Sequence, residues 1–247
     1  MDRKESSRID TAMVLAAGFG TRMRPLTERI PKPLVTLAGR ALIDHALDRL
    51  AEANVARAVV NVHHLADQIE AHLRNRTAPS ITISNERDAI LETGGGVRKA
   101  LPLLGSAPFL VHNSDSVWSE GAHSNLARLI QTFDEARMAA LLLLAPRKRS
   151  LGYDGRGDFH QDATGRLQRR QKSEDAAYVF AGVSILHPRL FEGIGDKAFS
   201  LNVVFDRASA EAALYGMVLE GTWMHVGTPQ ALLEAEGYLN EGRRLTA

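Results

Sequence analysis

The sequence lacks cysteine altogether over its 247 residues. That absence excludes disulfides, thiolate nucleophiles and cysteine-based metal clusters. The sequence also lacks a large excess of positive or negative charge, since it contains 30 lysines and arginines and 29 aspartates and glutamates. This balance of charges gives no electrostatic reason to expect binding to nucleic acid or to a membrane surface. We therefore expect neither kind of partner.

Long hydrophobic runs are missing as well. The most apolar stretch, MAALLLLA at Met138–Ala145, is far shorter than the roughly 20 residues that a membrane-spanning helix needs. It predicts a buried strand instead. The first ten residues, MDRKESSRID, are polar and do not resemble a secretory signal. We expect a polar tail over residues 1–10 and a cytoplasmic protein.

Apolar residues make up 45% of the chain, which is enough for a substantial core. Short apolar runs predict strands, and apolar residues three and four positions apart predict helices. The predicted strands cover residues 11–17, 56–62, 80–84, 108–115, 138–145 and 177–186. The predicted helices cover 41–54, 65–75, 94–104, 124–136, short stretches near 203–214, and 229–239, and a hairpin is predicted over 155–170.

Alternation of apolar strands with helices is typical of an α/β protein. We predict a Rossmann-like, mixed but mostly parallel central sheet with helices on both faces, followed by a smaller β-rich half. No linker rich in proline, glycine or serine divides the chain. Residues 11–247 are therefore predicted to form a single domain.

The segment from Leu15 to Leu34, LAAGFGTRMRPLTERIPKPL, carries the strongest chemical signal. It follows the first predicted strand, and ligands of open α/β sheets bind beyond the carboxyl ends of strands. Its two glycines and four cations favour an anion such as a phosphate. The segment is not a G-x-G-x-x-G fingerprint, because Met23 holds the third glycine position. Nor is it a Walker loop, because no G-K-[ST] follows.

Each of these cations, taken singly, is typical of a solvated surface loop. Together, at the end of the first strand, they favour a phosphate site instead. Pro31 and Pro33 restrict the backbone on both sides of Lys32. A lysine presented so rigidly suits a fixed charge on a phosphoryl group.

The same segment resembles the signature of the sugar-1-phosphate nucleotidyltransferases, L-A-A-G-x-G-x-R-M-x-P-L-T…P-K-P. The resemblance continues through LETGGGVRKALPLL, HNSDSVW, GRGDF, FAGVSILHP and WMHVGTP, and it covers almost the whole chain from about Thr11. Within the family, ETGGG, GRGDF and SILHP most resemble the N-acetylmuramate-1-phosphate uridylyltransferases. The resemblance implies a GT-A-like fold with a nucleotide-binding half over about 11–118 and a sugar-binding half over about 119–247.

The implied reaction transfers a nucleotidyl group. An oxygen of the sugar phosphate attacks the α-phosphorus of a nucleoside triphosphate, and pyrophosphate leaves. Because the nucleophile is already an anion, catalysis depends on positioning and charge neutralisation. By resemblance, Arg22 binds the β- and γ-phosphates, Lys32 bridges the α-phosphate and the attacking phosphate, and Asp115 holds a divalent ion. Without the resemblance, Asp115 in NSDS would be interpreted as a capping residue.

The resemblance also implies binding residues for both substrates. Nucleotide contacts are expected from Ala16, Ala17, Gly18, Gly20, Glu86, Glu92, Thr93 and Gly94. From its position just before the segment that closes on the base, Glu86 is expected to accept a hydrogen bond from N3–H of uracil or thymine. Sugar contacts are expected from Asn113, Gly157, Asp158, Phe180, Gly182 and Asn202. The glycines that begin at Gly94 also fit a closely packed helix start.

Two positions depart from the family pattern. His225 precedes an intact VGT where relatives have an aspartate or asparagine as second metal ligand. The site is therefore Asp115 with His225, or Asp115 alone with His225 packed nearby. Mg²⁺ is the expected ion, and an imidazole ligand would shift the preference toward Mn²⁺ or Co²⁺. Phe180 replaces a sugar-binding asparagine of many relatives, and either faces an apolar group such as the lactyl ether of muramic acid or belongs to the core.

Two classes of function follow. The first is an active uridylyltransferase for N-acetylmuramate 1-phosphate, or a guanylyl- or thymidylyltransferase for mannose or glucose 1-phosphate. The second is a weakly catalytic subunit that binds a nucleotide sugar and regulates a partner. Arg22, Lys32 and Asp115 together favour the first, whereas His225 leaves the second open. The expected partners are a nucleoside triphosphate and a sugar 1-phosphate, and the sequence indicates no obligate protein partner.

Overall fold

The computed structural model of the chain describes residues 9–246. Its strands are β1 (Thr11–Leu15), β2 (Thr36–Leu37), β3 (Arg40–Ala41), β4 (Arg57–Val62), β5 (Ser80–Asn85), β6 (Phe109–Asn113), β7 (Ser116–Ser119), β8 (Ala140–Pro146), β9 (Phe159–Gln161), β10 (Leu167–Arg169), β11 (Tyr178–Leu186), β12 (Leu214–Val218) and β13 (Thr222–His225). Its α-helices are α1 (Leu42–Glu52), α2 (Ala66–Leu73), α3 (Glu92–Leu104), α4 (Asn125–Thr132), α5 (Asn202–Ala210) and α6 (Pro229–Thr246). Residues 1–8 of the predicted polar tail lie outside the described residues.

A nine-stranded sheet forms the centre of the fold. Its order is β10-β9-β11-β6-β1-β4-β5, and β8 pairs with β11 and with β12. The strands β6, β1, β4 and β5 run parallel, whereas β11 runs antiparallel to both β6 and β8. The predicted α/β fold with a mixed central sheet is confirmed, and so is the hairpin, which β9 and β10 form.

Helices cover both faces of this sheet because successive residues of each strand point to opposite sides. On β1, Ala12 and Val14 belong to one apolar cluster, together with buried residues of α1, α2 and α4. Met13, between them, belongs to a second cluster with residues of α3 and α5. All three side chains are fully buried. This double coverage is why β1 reads as a continuous apolar run.

A third, smaller apolar cluster lies outside the main sheet, and we call it the third core. It consists of Met23, Val35, Leu37, Leu42, Val117, Met224, Val226 and Ala235, with Leu151, Leu232 and Leu239 packed against it. Two of its members sit on a two-stranded ribbon in which β7 pairs antiparallel with β13. The third core thus joins the segment after β1, this ribbon and the last helix.

The structure differs from the predicted elements mainly in the second half. The strands β7, β12 and β13 were not predicted, and the helical stretch near 203–214 ends at Ala210, before β12 begins. Strands of four or five residues depend on partners far along the chain, which a local pattern does not reveal. Within residues 9–246, no helix combines the length and apolar character needed to cross a membrane.

Candidate active site

The segment with the predicted phosphate-binding cations leaves the sheet at the end of β1 and continues as short 3₁₀ turns. Gly20 allows this path, because its φ is 61° and a Cβ there would lie 2.9 Å from the Cβ of Lys32. The hydroxyl of Thr27 donates to the carbonyl of Gly20 at 2.8 Å. These contacts hold Lys32 against the glycine turn.

A cavity of about 340 Å³ opens at the carboxyl ends of β1, β4 and β6, where α/β sheets generally bind ligands. The predicted residues that line it are Ala16, Ala17, Gly18, Gly20, Arg22, Lys32, Glu86, Glu92, Thr93, Asn113 and Asp115. A Cβ on Gly18 would meet no atom within 4 Å. Packing therefore does not require glycine at that position. The absence of a side chain leaves the backbone of Gly18 open to the cavity.

Lys32 and Asp115 form an ion pair at one end of this cavity. The Lys32 ammonium donates to Oδ2 of Asp115, and the side chains are 14% and 30% exposed. Burial by itself disfavours the charged carboxylate, but the charge and hydrogen bond of Lys32 outweigh it and lower the pKa of Asp115. Asp115 is therefore an ionised carboxylate at neutral pH, suited to bind a cation.

His225, at the end of β13, lies beside Arg22. Nη1 of Arg22 is 3.4 Å from Nε2 of His225. Because a guanidinium can only donate, a hydrogen bond between them requires Nε2 to be the unprotonated acceptor. Burial, and next the charge of Arg22, lower the pKa of His225. The two phosphate-binding cations predicted from the sequence thus each contact one of the two predicted metal ligands.

The donor atoms of this end of the cavity fit a divalent cation only in part. Asp115 offers a carboxylate, which hard cations prefer, and His225 offers an unprotonated nitrogen. Among the described residues, no group of three or more histidine, aspartate or glutamate side chains could hold a metal ion. A bound ion would therefore need oxygen ligands from phosphates and water.

Glu86 lines the same cavity and is 1% exposed. It follows β5, which lies three strands away from β6, the strand that precedes Asp115. Its Oε1 accepts from Nδ2 of Asn61 at 2.8 Å, and Oδ1 of Asn61 accepts from the amide of Ala16 at 2.7 Å. Burial raises the pKa of Glu86, and the bond from Asn61 opposes the rise. The Leu91 amide also opposes the rise, but no described group reaches the other oxygen, Oε2, with ordinary hydrogen-bond geometry. A buried acceptor without a partner at a cavity wall is suited to a ligand donor.

Asn61 was not among the predicted site residues, although it lines the cavity. It is 2% exposed and sits in the apolar run of β4. A buried amide within a strand needs partners, and that rule was the signal available in the sequence. Gly96 on α3 completes the arrangement, since a Cβ there would lie 2.8 Å from both Asn61 and Glu86.

The first turn of α3 is hydrogen-bonded to the second half of the chain. The amides of Gly94 and Gly95 both donate to the carbonyl of Phe199, at 2.8 and 3.1 Å. A Cβ on Gly94 would lie 2.4 Å from the Phe199 ring. Thr93, which lines the cavity, accepts from the amide of Leu201 at 2.9 Å. For Gly94, the structure supports the interpretation as a closely packed helix start.

Among the predicted sugar-binding residues, Asn113 alone lines the cavity. Gly182 lies beside it at an irregularity of β11, with φ of 81°, and a Cβ there would lie 3.1 Å from the Asn113 amide nitrogen. Gly157 has φ of 78° and approaches the carbonyl of Ala176. Gly157 lets two backbone segments pass closely, whereas Gly182 leaves room for the side chains of Ser116 and Asn113.

The other predicted sugar-binding side chains make contacts within the protein. Asp158 accepts from the amide of Phe180 at 2.9 Å. The Phe180 ring stands edge to face with Phe205, 5.2 Å between centroids, and packs on the second cluster. Asn202 is exposed and accepts from Arg169 at 3.2 Å. The structure does not gather these residues into one cavity, and it supports the core interpretation of Phe180.

Comparison with known proteins assigns the chain to a family. The model of the family described as nucleotidyl transferase matches residues 11–242. The chain belongs to the nucleotidyl transferase family. The resemblance inferred from the sequence motifs is confirmed by this match.

The relatives of this nucleotidyl transferase cover nearly its whole length. An N-acetylmuramate α-1-phosphate uridylyltransferase of Caulobacter vibrioides is 49% identical, over 93% of this chain and 97% of its own. A protein of the same name from Neisseria meningitidis serogroup B is 36% identical, over 91% and 96%. The solved structure of a UDP-glucose pyrophosphorylase with UDP-glucose is 17% identical, has a TM-score of 0.73 and covers 95% of this chain and all of that one. This last likeness supports the fold alone.

The contact between Arg22 and His225 predicts an altered titration in this nucleotidyl transferase. The pKa of His225 should lie below the ordinary value of about 6.5, and Arg22→Met should raise it by removing a nearby positive charge. Because the folded protein binds this proton less readily than the unfolded chain, the contribution of His225 to stability should fall as the pH drops below about 6.5. NMR titration of the imidazole measures the pKa directly.

The matched control for that titration is Arg24→Met, which removes an exposed cation from the same turn. It should leave the titration of His225 nearly unchanged. A His225 that titrates at or above its ordinary value in the parent protein, or that responds equally to both variants, contradicts the described contact.

Proposed function

We propose that this chain transfers the uridylyl group of UTP to N-acetylmuramate 1-phosphate and releases pyrophosphate. The observation that carries the proposal is the relationship to the Caulobacter uridylyltransferase, because nearly half of the aligned residues are identical over almost the whole of both chains. The proposal includes a role in reusing cell-wall sugar. It also includes a cytoplasmic location, since nucleoside triphosphates are cytoplasmic substrates.

The proposed step needs no general base. An anionic oxygen of the sugar phosphate forms a bond to the α-phosphorus, and the bond to the bridging oxygen breaks with its electron pair leaving on pyrophosphate. Lys32 would lie between the α-phosphate and the attacking phosphate, where the two anions repel most. Arg22 would neutralise charge on the leaving pyrophosphate. Both cations line the cavity and both act electrostatically on His225, so their positive charge is already in position before the substrates react.

Asp115 and His225 would hold a divalent cation, Mg²⁺ or, with the imidazole as ligand, Mn²⁺ or Co²⁺. Such an ion supplies Lewis-acid neutralisation of the α-phosphate charge. The chain's own contribution is an ionised carboxylate and a neutral imidazole, and the pKa of each is lowered. Both protonation states are those that metal binding requires.

The position of Glu86 favours a nucleobase that carries a ring N–H group. Its Oε2 would accept from N3–H of uracil in the cavity that Lys32 also lines. Guanine also carries a ring N–H, at N1, so this contact disfavours adenine and cytosine more than it separates uracil from guanine. The choice of UTP therefore depends on the relationship to the uridylyltransferases. So does the choice of sugar, because Phe180 is partly buried against the second cluster and does not line the cavity.

A panel of substrates tests the proposal. Pyrophosphate release should be measured with UTP, dTTP and GTP, each combined with N-acetylmuramate, N-acetylglucosamine, glucose and mannose 1-phosphates. UTP with N-acetylmuramate 1-phosphate should give the highest kcat/KM. A preference for GTP with mannose 1-phosphate would replace the proposed substrates, and no release with any pair would favour a regulatory, weakly catalytic subunit.

Lys32→Met should slow the reaction severely. The change keeps the apolar stem and removes the cation, which should cost about 3 kcal/mol of transition-state stabilisation, or about two orders of magnitude in kcat. UTP binding should weaken much less. Single-turnover rates and calorimetric titration with UTP separate the two effects. Arg24→Met is the matched control, and near-normal turnover of Lys32→Met would remove Lys32 from the proposed role.

His225→Asp should change the metal preference. If the imidazole is a ligand, the parent enzyme should be relatively more active with Mn²⁺ or Co²⁺, and the variant should shift toward Mg²⁺ because a carboxylate suits a hard ion. The ratio of kcat/KM with Mn²⁺ to that with Mg²⁺ measures the shift. His123→Asp, at a side chain that is 71% exposed, is the control. An unchanged ratio in His225→Asp would leave Asp115 as the sole protein ligand.

A further inference from the structure

The last helix, α6, packs behind the segments that carry the reacting groups. The third core, to which it contributes, contains the chain neighbours of those groups: Met23 beside Arg22, Val117 two positions after Asp115, and Met224 and Val226 on either side of His225. Val35 follows Lys32 by three positions and belongs to the same core. Each reacting group is thus attached to this small core through its own backbone.

One face of α6 closes the third core. Ala235 is fully buried there, and Leu232 and Leu239 pack against it. Their spacing of three and four positions places them on a single side of the helix. Leu233, the neighbour of Leu232, is 66% exposed. The helix therefore offers two adjacent leucines, of which one contacts the core and the other does not.

Polar contacts attach α6 to the same segments. Oε1 of Glu236 accepts from the amide of Ala38 at 2.6 Å, in the turn between β2 and β3 that follows the Lys32 segment. The Tyr238 hydroxyl donates to Thr222 at 2.9 Å and lies 3.3 Å from the Ser119 hydroxyl. These last two residues lie on the β7–β13 ribbon, which follows Asp115 and ends at His225.

The residues proposed to bind the nucleobase are held by elements other than α6. Asn61 and Glu86 are held by β4, by each other and by the approach of α3, and no member of the third core lies on those elements. Loosening α6 should therefore disturb the reacting groups without disturbing the base. If α6 only added stability, loosening it should affect the reacting groups and the nucleobase site alike.

We propose that α6 is the positioning element of the reaction, with Leu232 and Glu236 as positioning residues for Lys32, Asp115 and His225. The proposal rests on the function proposed above. The reacting groups come from turns and a short ribbon outside the main sheet, so the third core fixes their mutual distances. A displacement of about 1 Å among such groups can cost about a hundredfold in rate.

The test compares Leu232→Ala with Leu233→Ala. Leu232→Ala should lower kcat about tenfold to a hundredfold and raise KM for UTP by a much smaller factor, at a temperature where the variant is fully folded. Leu233→Ala should change neither. Leu232→Met, which nearly conserves volume, should restore kcat. A Leu232→Ala variant with a lower Tm but a normal kcat overturns the proposal, and so does an equal loss in Leu233→Ala.

A second measurement does not depend on activity. Hydrogen exchange followed by mass spectrometry should show faster exchange in Leu232→Ala over residues 20–38, 114–119 and 222–227, with the β4 segment 57–62 unchanged. A uniform rise across the chain overturns the proposal. If the parent enzyme fails the substrate panel, the proposed function fails, and this exchange pattern still decides whether α6 positions these segments.

Glu236→Ala provides the same test with a milder change in case Leu232→Ala does not fold. Its matched control is Glu234→Ala, at an exposed position of the same helix. Glu236→Ala should reduce kcat and accelerate exchange over residues 20–38, and Glu236→Gln, which keeps an accepting oxygen, should restore both. Equal behaviour of the two alanine variants overturns the proposal.

Discussion

The ion pair between Lys32 and Asp115 is the contact on which the arrangement of the site depends. The two residues are 83 positions apart, one in turns outside the sheet and the other between β6 and β7. A half-buried ammonium or carboxylate left alone would be costly, so each charge holds the other in place. The pair thereby fixes the cation-rich segment over the carboxyl end of β1, and the cavity forms between that segment and the sheet.

The sequence is sufficient to predict those parts of the fold in which the residues that restrict the backbone lie close together along the chain. The apolar run of β1, the two glycines after it and the prolines around Lys32 occur within about twenty positions, and each restricts the backbone in a known way. That is why a phosphate site beyond the carboxyl end of β1, with Lys32 as one of its cations, could be predicted from the residues themselves. Asp115 required the family resemblance, because NSDS alone is typical of a cap.

Contacts between distant segments could not be predicted. The sequence predicts Gly94 both as a nucleotide contact and as part of a closely packed helix start, but it does not identify the partner. In the structure the Gly94 amide donates to the carbonyl of Phe199, and the Phe199 ring fills the space that a side chain would need. Phe180 packs on Phe205 in the same way. The β7–β13 ribbon consists of two four-residue strands whose pairing has no local signature. The proposed role of α6 depends on its contacts with that ribbon. The helical pattern of residues 229–239 predicts a helix but not those contacts.

The most direct test of the central claim is a crystal structure with a non-hydrolysable UTP analogue, a divalent cation and N-acetylmuramate 1-phosphate. The account predicts that the Lys32 ammonium lies within hydrogen-bond distance of both the α-phosphate and the sugar phosphate, with uracil N3–H on Glu86 and the cation on Asp115. A triphosphate bound elsewhere, or a Lys32 that contacts neither phosphate in the ternary complex, would contradict it.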